Sequence, residues 1–184
     1  MVIDLPKPDV PAAVATVRDF VNTTDHETGG DDLHTSAALA RYLRSAGLCS
    51  GAPRASADDL ETARRLRAGL RRALELNHTG ETSPLPELGA ELLRLPVALD
   101  WGEAGSRLRT TATGISGGLA RIGLAAHECT VAGTWLRLKV CGSDDCGWAY
   151  FDHSKNRSRN WCEYGCGNKI KTRAYRARQR SATV

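Results

Sequence analysis

The sequence predicts a mainly α protein with a small β-hairpin. A helical N-terminal domain covers residues 1–134, and a smaller unit over 135–184 ends in a basic helix. Three observations carry this. Apolar residues recur at three- and four-residue spacings in five stretches between residues 11 and 132. Four of the six cysteines fall within one short segment, as C-x4-C and C-x3-C around fifteen residues. Charge divides at the same place: residues 135–184 carry eleven Lys/Arg against four Asp/Glu, whereas residues 1–134 carry fourteen against seventeen.

Composition bounds the rest. At 184 residues, 41% hydrophobic and 25% charged, the chain can bury a real core as a soluble globular protein. No apolar run approaches the roughly 20 residues needed to cross a bilayer. The first ten residues, MVIDLPKPDV, have neither a charged n-region nor an apolar h-region. The expectation is a cytoplasmic protein without a membrane partner, whose thiols stay reduced.

Residues 11–22 place Val14, Val17, Phe20 and Val21 on one helical face, with Pro11 acceptable in the first turn. The polar stretch after it reads as a loop. It holds His26, Asp31 and His34, the candidates for an effector site, against the plainer reading of solvated loop side chains. A second helix spans 36–46, with Leu39, Tyr42, Leu43 and Ala46 on one side and Gly47 at its end. The third opens at Ser56 with Asp59 three residues on, and turns Leu60, Ala63, Leu66, Leu70, Ala73 and Leu74 inward. Its other face carries Arg64, Arg65, Arg67, Arg71 and Arg72, and reads as solvated. Pro84 opens a short helix through Leu88, Leu92 and Leu95. Residues 97–101 and 107–113 form a strand pair. A last body helix over 115–132 buries Leu119, Ile122, Ala126 and Cys129, and both Cys129 and Cys49 read as small packed residues, not ligands.

Beyond residue 134 the pattern changes period. TWLRLKVC alternates like a strand, and GWAYFD pairs back onto it as a hairpin. Trp148, Tyr150, Phe151 and Trp161 supply its apolar bulk, read as core and not as base-stacking groups. Two short cysteine loops on either side of such a spacer suit one tetrahedral Zn²⁺, held by Cys141, Cys146, Cys162 and Cys166 at bonds of about 2.3 Å. Four thiolates leave no open position, so the zinc, one per chain, is structural and His153 is exposed. Two disulfides would need an oxidising compartment, which nothing else in the chain supports. The expected form is a treble-clef or ribbon-like zinc finger.

From Gly167 onward one helix is predicted, with Lys169, Arg173, Arg176 and Arg180 along one side and Lys171 flanking. Asn168 stands in its first turn, and the preceding loop adds Lys155, Arg157 and Arg159. A cationic helix anchored at its start by a zinc thiolate suits a DNA groove, with phosphate contacts giving affinity and Arg or Asn reading bases.

These residues resemble a known family. Trp161-Cys162 followed by Cys166-Gly167-Asn168-Lys169 is similar to the Trp-Cys and Cys-Gly-Asn-Arg signature of the CGNR zinc finger. RDFVNT at 18–23, DDL at 31–33 and LRAGLRRAL in the third helix resemble the ABATE domain that precedes this finger. The resemblance covers most of the chain and implies a stress-related transcription regulator. Two departures stand out. Lys169 replaces the motif arginine, keeping charge but losing the bidentate fork, and the second cysteine pair encloses three residues in place of four.

The expected function is a zinc-containing regulator that binds duplex DNA. Its helical body would then be free to form a homodimer or take a small-molecule effector. The alternative is a zinc-finger protein-interaction adaptor, or an RNA binder, without affinity for duplex DNA. An enzyme is not expected: the chain has no phosphate-binding glycine loop or HExxH.

Overall fold

The computed structural model describes residues 10–103 and 105–181, with the side chains of 174 and 177–181 outside that set. In chain order come α1 (Ala12–Val21), α2 (Ser36–Ser45), α3 (Ala57–Thr79), α4 (Pro86–Leu93), β1 (Val97–Gly102), β2 (Gly105–Thr110) and α5 (Gly114–Val131). A single 3-10 turn over Trp135–Arg137 then leads into β3 (Leu138–Val140), β4 (Ala149–Phe151) and α6 (Cys166–Ser181). The two hairpins, β1–β2 and β3–β4, are both antiparallel. The mainly α architecture read from the residues is what the chain forms.

Helix α3 is the spine. Ser56 Oγ accepts the amide of Asp59 at 3.0 Å while Asp59 Oδ2 accepts that of Ser56 at 2.8 Å. Such a box stabilises a helix start by about 1 kcal/mol. Gly80, at φ +77, ends the helix in the left-handed region. Ala63, Leu66, Leu70 and Leu74 face Val14, Val17 and Phe20 of α1, Leu39 and Leu43 of α2, and Leu119 and Ile122 of α5, all in one buried cluster. That cluster continues into Leu138, Val140 and Ala149. The second hairpin is therefore packed into the core of the body.

Glycines set how closely helices approach. A Cβ on Gly69 of α3 would lie 2.8 Å from Leu88 Cβ and 3.2 Å from Leu88 Cα. Those atoms belong to the backbone of α4 and its root, so they cannot swing aside. Alanine favours a helix over glycine by about 1 kcal/mol, but overpacking costs about 1–3 kcal/mol, and overpacking wins. Gly69→Ala is expected to lower the urea midpoint, with the loss traced to displacement of α4.

The structure departs from the sequence reading at four places, the first being β2, which runs Gly105–Thr110 and not 107–113. Strand β3 begins at Leu138, because Trp135–Arg137 closes a 3-10 turn, with Arg137 N bonded to Thr134 O at 3.0 Å. Helix α4 begins at Pro86, not Pro84. Leu85 precedes a proline, which disfavours helical backbone there and leaves Pro86 at the first helical position. The arginines of α3 are only in part a solvated face: Arg65 and Arg72 are exposed, Arg64 and Arg71 half-buried and Arg67 buried. Arg67 is 8% exposed, and its guanidinium clamps Asp31 through two bonds of 2.7 and 3.0 Å while also donating to Thr23 Oγ. Arg71 donates to the carbonyls of Val21 and Gly147, and Arg64 to that of Leu33.

Candidate metal centre

Four chain segments converge at the C-terminal end of the molecule. Cys141 follows β3 directly, and its amide bonds Trp148 O at 2.8 Å. Gly142 N bonds Asn160 O at 2.9 Å, joining the first cysteine loop to the segment before Cys162. A Cβ on Gly142 would meet the His78 ring at 2.8 Å and Asn160 O at 3.2 Å, so a larger residue there would have to shift the ring. Cys146 turns back on Ser143 O. Cys162 stands just past the loop, and Cys166 is the first residue of α6. Two cysteines in the connection of a hairpin, a third before a helix and a fourth at its first residue make an arrangement consistent with a zinc finger.

The donor set fits a metal. All four cysteines are 4–5% exposed and free, and their sulfurs lie within 4.8 Å of one another. The Cys146–Cys162 and Cys162–Cys166 sulfur separations are 3.7 and 3.6 Å. A tetrahedron with bonds of about 2.3 Å has edges of about 3.8 Å. In the metal-free protein, burial pushes the Cys146 and Cys162 thiols above their ordinary value. Burial also acts against the Cys141 thiolate, but amide donors, led by Cys162 N, outweigh it and lower that thiol. Loading an ion must therefore displace protons.

A buried ion pair shapes the loop between β4 and Cys162. Lys139 is 5% exposed and Asp152 0%, with Nζ 2.9 Å from Oδ2. Asp152 Oδ1 also accepts Ser154 N and Oγ, and Oδ2 accepts Arg159 N. Burial by itself would raise this carboxyl, yet the donors from Ser154, Lys139 and Arg159 hold it down at about 2. The Lys139 ammonium reaches Arg157 O as well, steadying a residue at φ +52 that is not glycine. Residues 152–159 thus form a fixed loop despite their polar sequence. The Asp-x-Ser turn at 152–154 was a readable local signal. The burial of Lys139 was not, since alternation assigns it to a polar face.

The finger is joined to the body by side chains that read as ordinary in sequence. The Asn22 amide donates to Ala149 O at 2.9 Å and accepts Ala149 N at 2.7 Å, acting as a strand partner for β4. Asn77 of α3 donates to Trp135 O and Leu138 O. Arg71 reaches Gly147 O in the first cysteine loop.

The remaining site candidates fall into separate groups. Lys155 and Arg157 are exposed on the loop. Arg159 turns partly inward, with Nε 2.8 Å from Trp161 O and its guanidinium over the Tyr150 ring at 5.8 Å. Asn168, Lys169, Lys171, Arg173 and Arg176 are all exposed on α6. Lys169 approaches Glu27 at 3.7 Å and Arg173 approaches Asp145 at 3.4 Å, two exposed pairs of small energetic value. The Arg180 side chain lies outside the described residues. Tyr150 is 4% exposed and packs on the cysteine cluster, as core. His26, Asp31 and His34 do not gather into one donor set. Asp31 is engaged by Arg67, which holds its carboxyl below the usual range. His34 Nδ1 lies 2.9 Å from Asp31 O. The His26 ring lies so close to Gly147 that a Cβ there would meet it at 2.9 Å. Among the described residues, the four cysteines are the one group of His, Cys, Asp or Glu placed to share an ion.

A helical body carrying a four-cysteine module with a cationic terminal helix defines a metal-finger protein. Comparison with known families agrees. The CGNR zinc finger model matches residues 137–179, and the ABATE model, described as "Putative stress-induced transcription regulator", matches residues 15–137. The chain belongs to the ABATE family and carries a CGNR zinc finger. Among curated proteins no relative matches it. No helix of the described residues is long and apolar enough to cross a membrane.

Proposed function

We propose that the protein is a cytoplasmic DNA-binding transcription regulator in which one zinc ion per chain is structural. The observation that carries this reading is α6. It starts at a cysteine of the cluster, has no acidic residue in its sixteen positions, and exposes Lys169, Lys171, Arg173 and Arg176. Cys141, Cys146, Cys162 and Cys166 would hold the ion, which supplies folding free energy and not a reaction centre. Their sulfurs would fix the first turn of α6, and the Asp152 loop keeps Lys155 and Arg157 exposed. Phosphate contacts from these cations would give the affinity, while Asn168 and the arginines would meet base edges.

The test is anisotropy of fluorescent duplex DNA against salt, for the zinc-loaded protein and for a variant with Lys171, Arg173 and Arg176 replaced by alanine. Each lost phosphate contact reduces the slope of log affinity against log salt by about 0.9. The triple variant is expected to bind far more weakly, with a slope shallower by about 2–3. Unchanged affinity would remove the DNA reading. A second reading, a protein-interaction adaptor, draws on the first hairpin, where Leu99 is 69% and Trp101 80% exposed. It predicts a stable protein partner that Trp101→Ser releases, and no affinity for duplex DNA.

A further inference from the structure

Outside the finger, one cleft gathers arginines and leaves them unengaged. It lies between α2 and the loop after it, and encloses about 550 Å³. Arg41 and Arg44, three residues apart on α2, line one wall and Arg54 lines the other. The lining between them is small, built from alanines, Pro53 and Ser36, and contains no Asp or Glu. Among the described residues none of these three arginines has an ion pair or hydrogen bond. The arginines of α3 behave differently: Arg64, Arg65, Arg67, Arg71 and Arg72 are all paired.

The cleft is also preformed. Its loop is tied at both ends, where Leu48 O accepts Arg121 at 2.6 Å and Ser56 O accepts Ser36 Oγ at 3.0 Å. The backbone of the walls is thus held before anything binds, which lowers the ordering cost of a ligand to that of the exposed arginine side chains. Arg41, Arg44 and Arg54 are exposed and line one cleft, and guanidinium groups so grouped favour a carboxylate or phosphate, which each can bond bidentately. An alanine–proline lining adds a dry surface for carbon. The volume falls in the range of small-molecule sites. A nucleic-acid duplex, by contrast, is read by elements that project into its grooves, not by a recess.

We propose that this cleft binds a small organic anion. Arg41, Arg44 and Arg54 hold its carboxylate or phosphate head, and its apolar body lies on the alanine–proline floor. The site is independent of the metal and of DNA binding, so failure of either reading leaves it standing. It places the effector position of the body here and not at His26, Asp31 and His34.

Isothermal titration of the full-length protein with phenyl phosphate, benzoate and inorganic phosphate tests this. One site per chain is expected, with an organic anion bound more tightly than inorganic phosphate because only the former uses the floor. Arg44→Gln and Arg54→Gln should each weaken binding roughly tenfold, and Arg72→Gln should leave it unchanged. Ala37→Trp, which fills the cleft without altering charge, should abolish it. Binding of phenyl phosphate alone or of benzoate alone supports the site and names the head group. Three results overturn it: no probe bound by the wild type, probe binding unaffected by the glutamine and tryptophan variants, or loss of duplex affinity in the arginine variants while no small anion binds.

Discussion

Chelating the metal is expected to melt the two cysteine loops and α6 while the helical body stays folded. Residues 141–181 have little apolar area of their own beyond Tyr150, Trp148 and Trp161 around the cysteines. Structural zinc supplies about 10–16 kcal/mol of apparent binding free energy in small fingers at neutral pH. An isolated sixteen-residue helix carrying this much charge is marginal in water. The body differs, because β3 and β4 contribute Leu138, Val140 and Ala149 to its own core. Circular dichroism should therefore lose the signal of about one helix in six on chelation, and Cys162→Ser should reproduce the loss. Metal analysis should find zinc near one per chain. Because burial raises the Cys146 and Cys162 thiols, loading should release protons into a weak buffer. Affinity should accordingly fall as pH falls. An unchanged spectrum after complete chelation, or iron in place of zinc, would remove the structural-zinc account.

Lys139→Met is expected to be the most damaging substitution outside the cysteines. Removing one partner of a buried pair strands the other charge, at a cost of about 3–5 kcal/mol. Asp152 is 0% exposed and cannot turn to solvent. The double variant Lys139→Met with Asp152→Asn should recover part of the loss, since the stranded charge is gone. The pH dependence follows from the direction of the shift. The Asp152 carboxyl is depressed from 3.8 to about 2 in the folded protein, so its contribution is complete above pH 3.8 and is lost as pH falls through about 2. In Lys139→Met the deficit should be greatest at neutral pH and shrink in acid, where protonation removes the unpaired charge. Urea midpoints at saturating zinc check both expectations. A deficit under 1 kcal/mol, or one that grows in acid, would mean that the pair is solvated in solution.

Local patterns made much of this molecule legible. Helices α1, α2, α3 and α5 follow the three- and four-residue recurrence of apolar residues, because a stripe of Leu and Val has one way to leave water. Ser56 with Asp59, and Gly80, mark the ends of α3 for similarly local reasons. The cysteine quartet was legible from spacing, since two short loops separated by a hairpin-length segment bring four sulfurs to one point. Charged residues were not legible in this way. Arg67, Arg71 and Lys139 look like solvent-facing side chains, yet each is drawn inward by a partner distant in sequence: Asp31, the carbonyls of Val21 and Gly147, and Asp152.

What the sequence by itself determined is the helical architecture, the gathering of four cysteines that could hold an ion and the cationic character of the last helix. Each depends on spacing along the chain, and spacing is written in the sequence. Only the tertiary structure decided which cations serve the interior and which stay free. A buried charge is tolerated only where folding delivers a counter-charge or carbonyls to it, and those partners lie from 13 to 76 residues away. The same folding left Arg41, Arg44 and Arg54 around one cleft without a partner among the described residues.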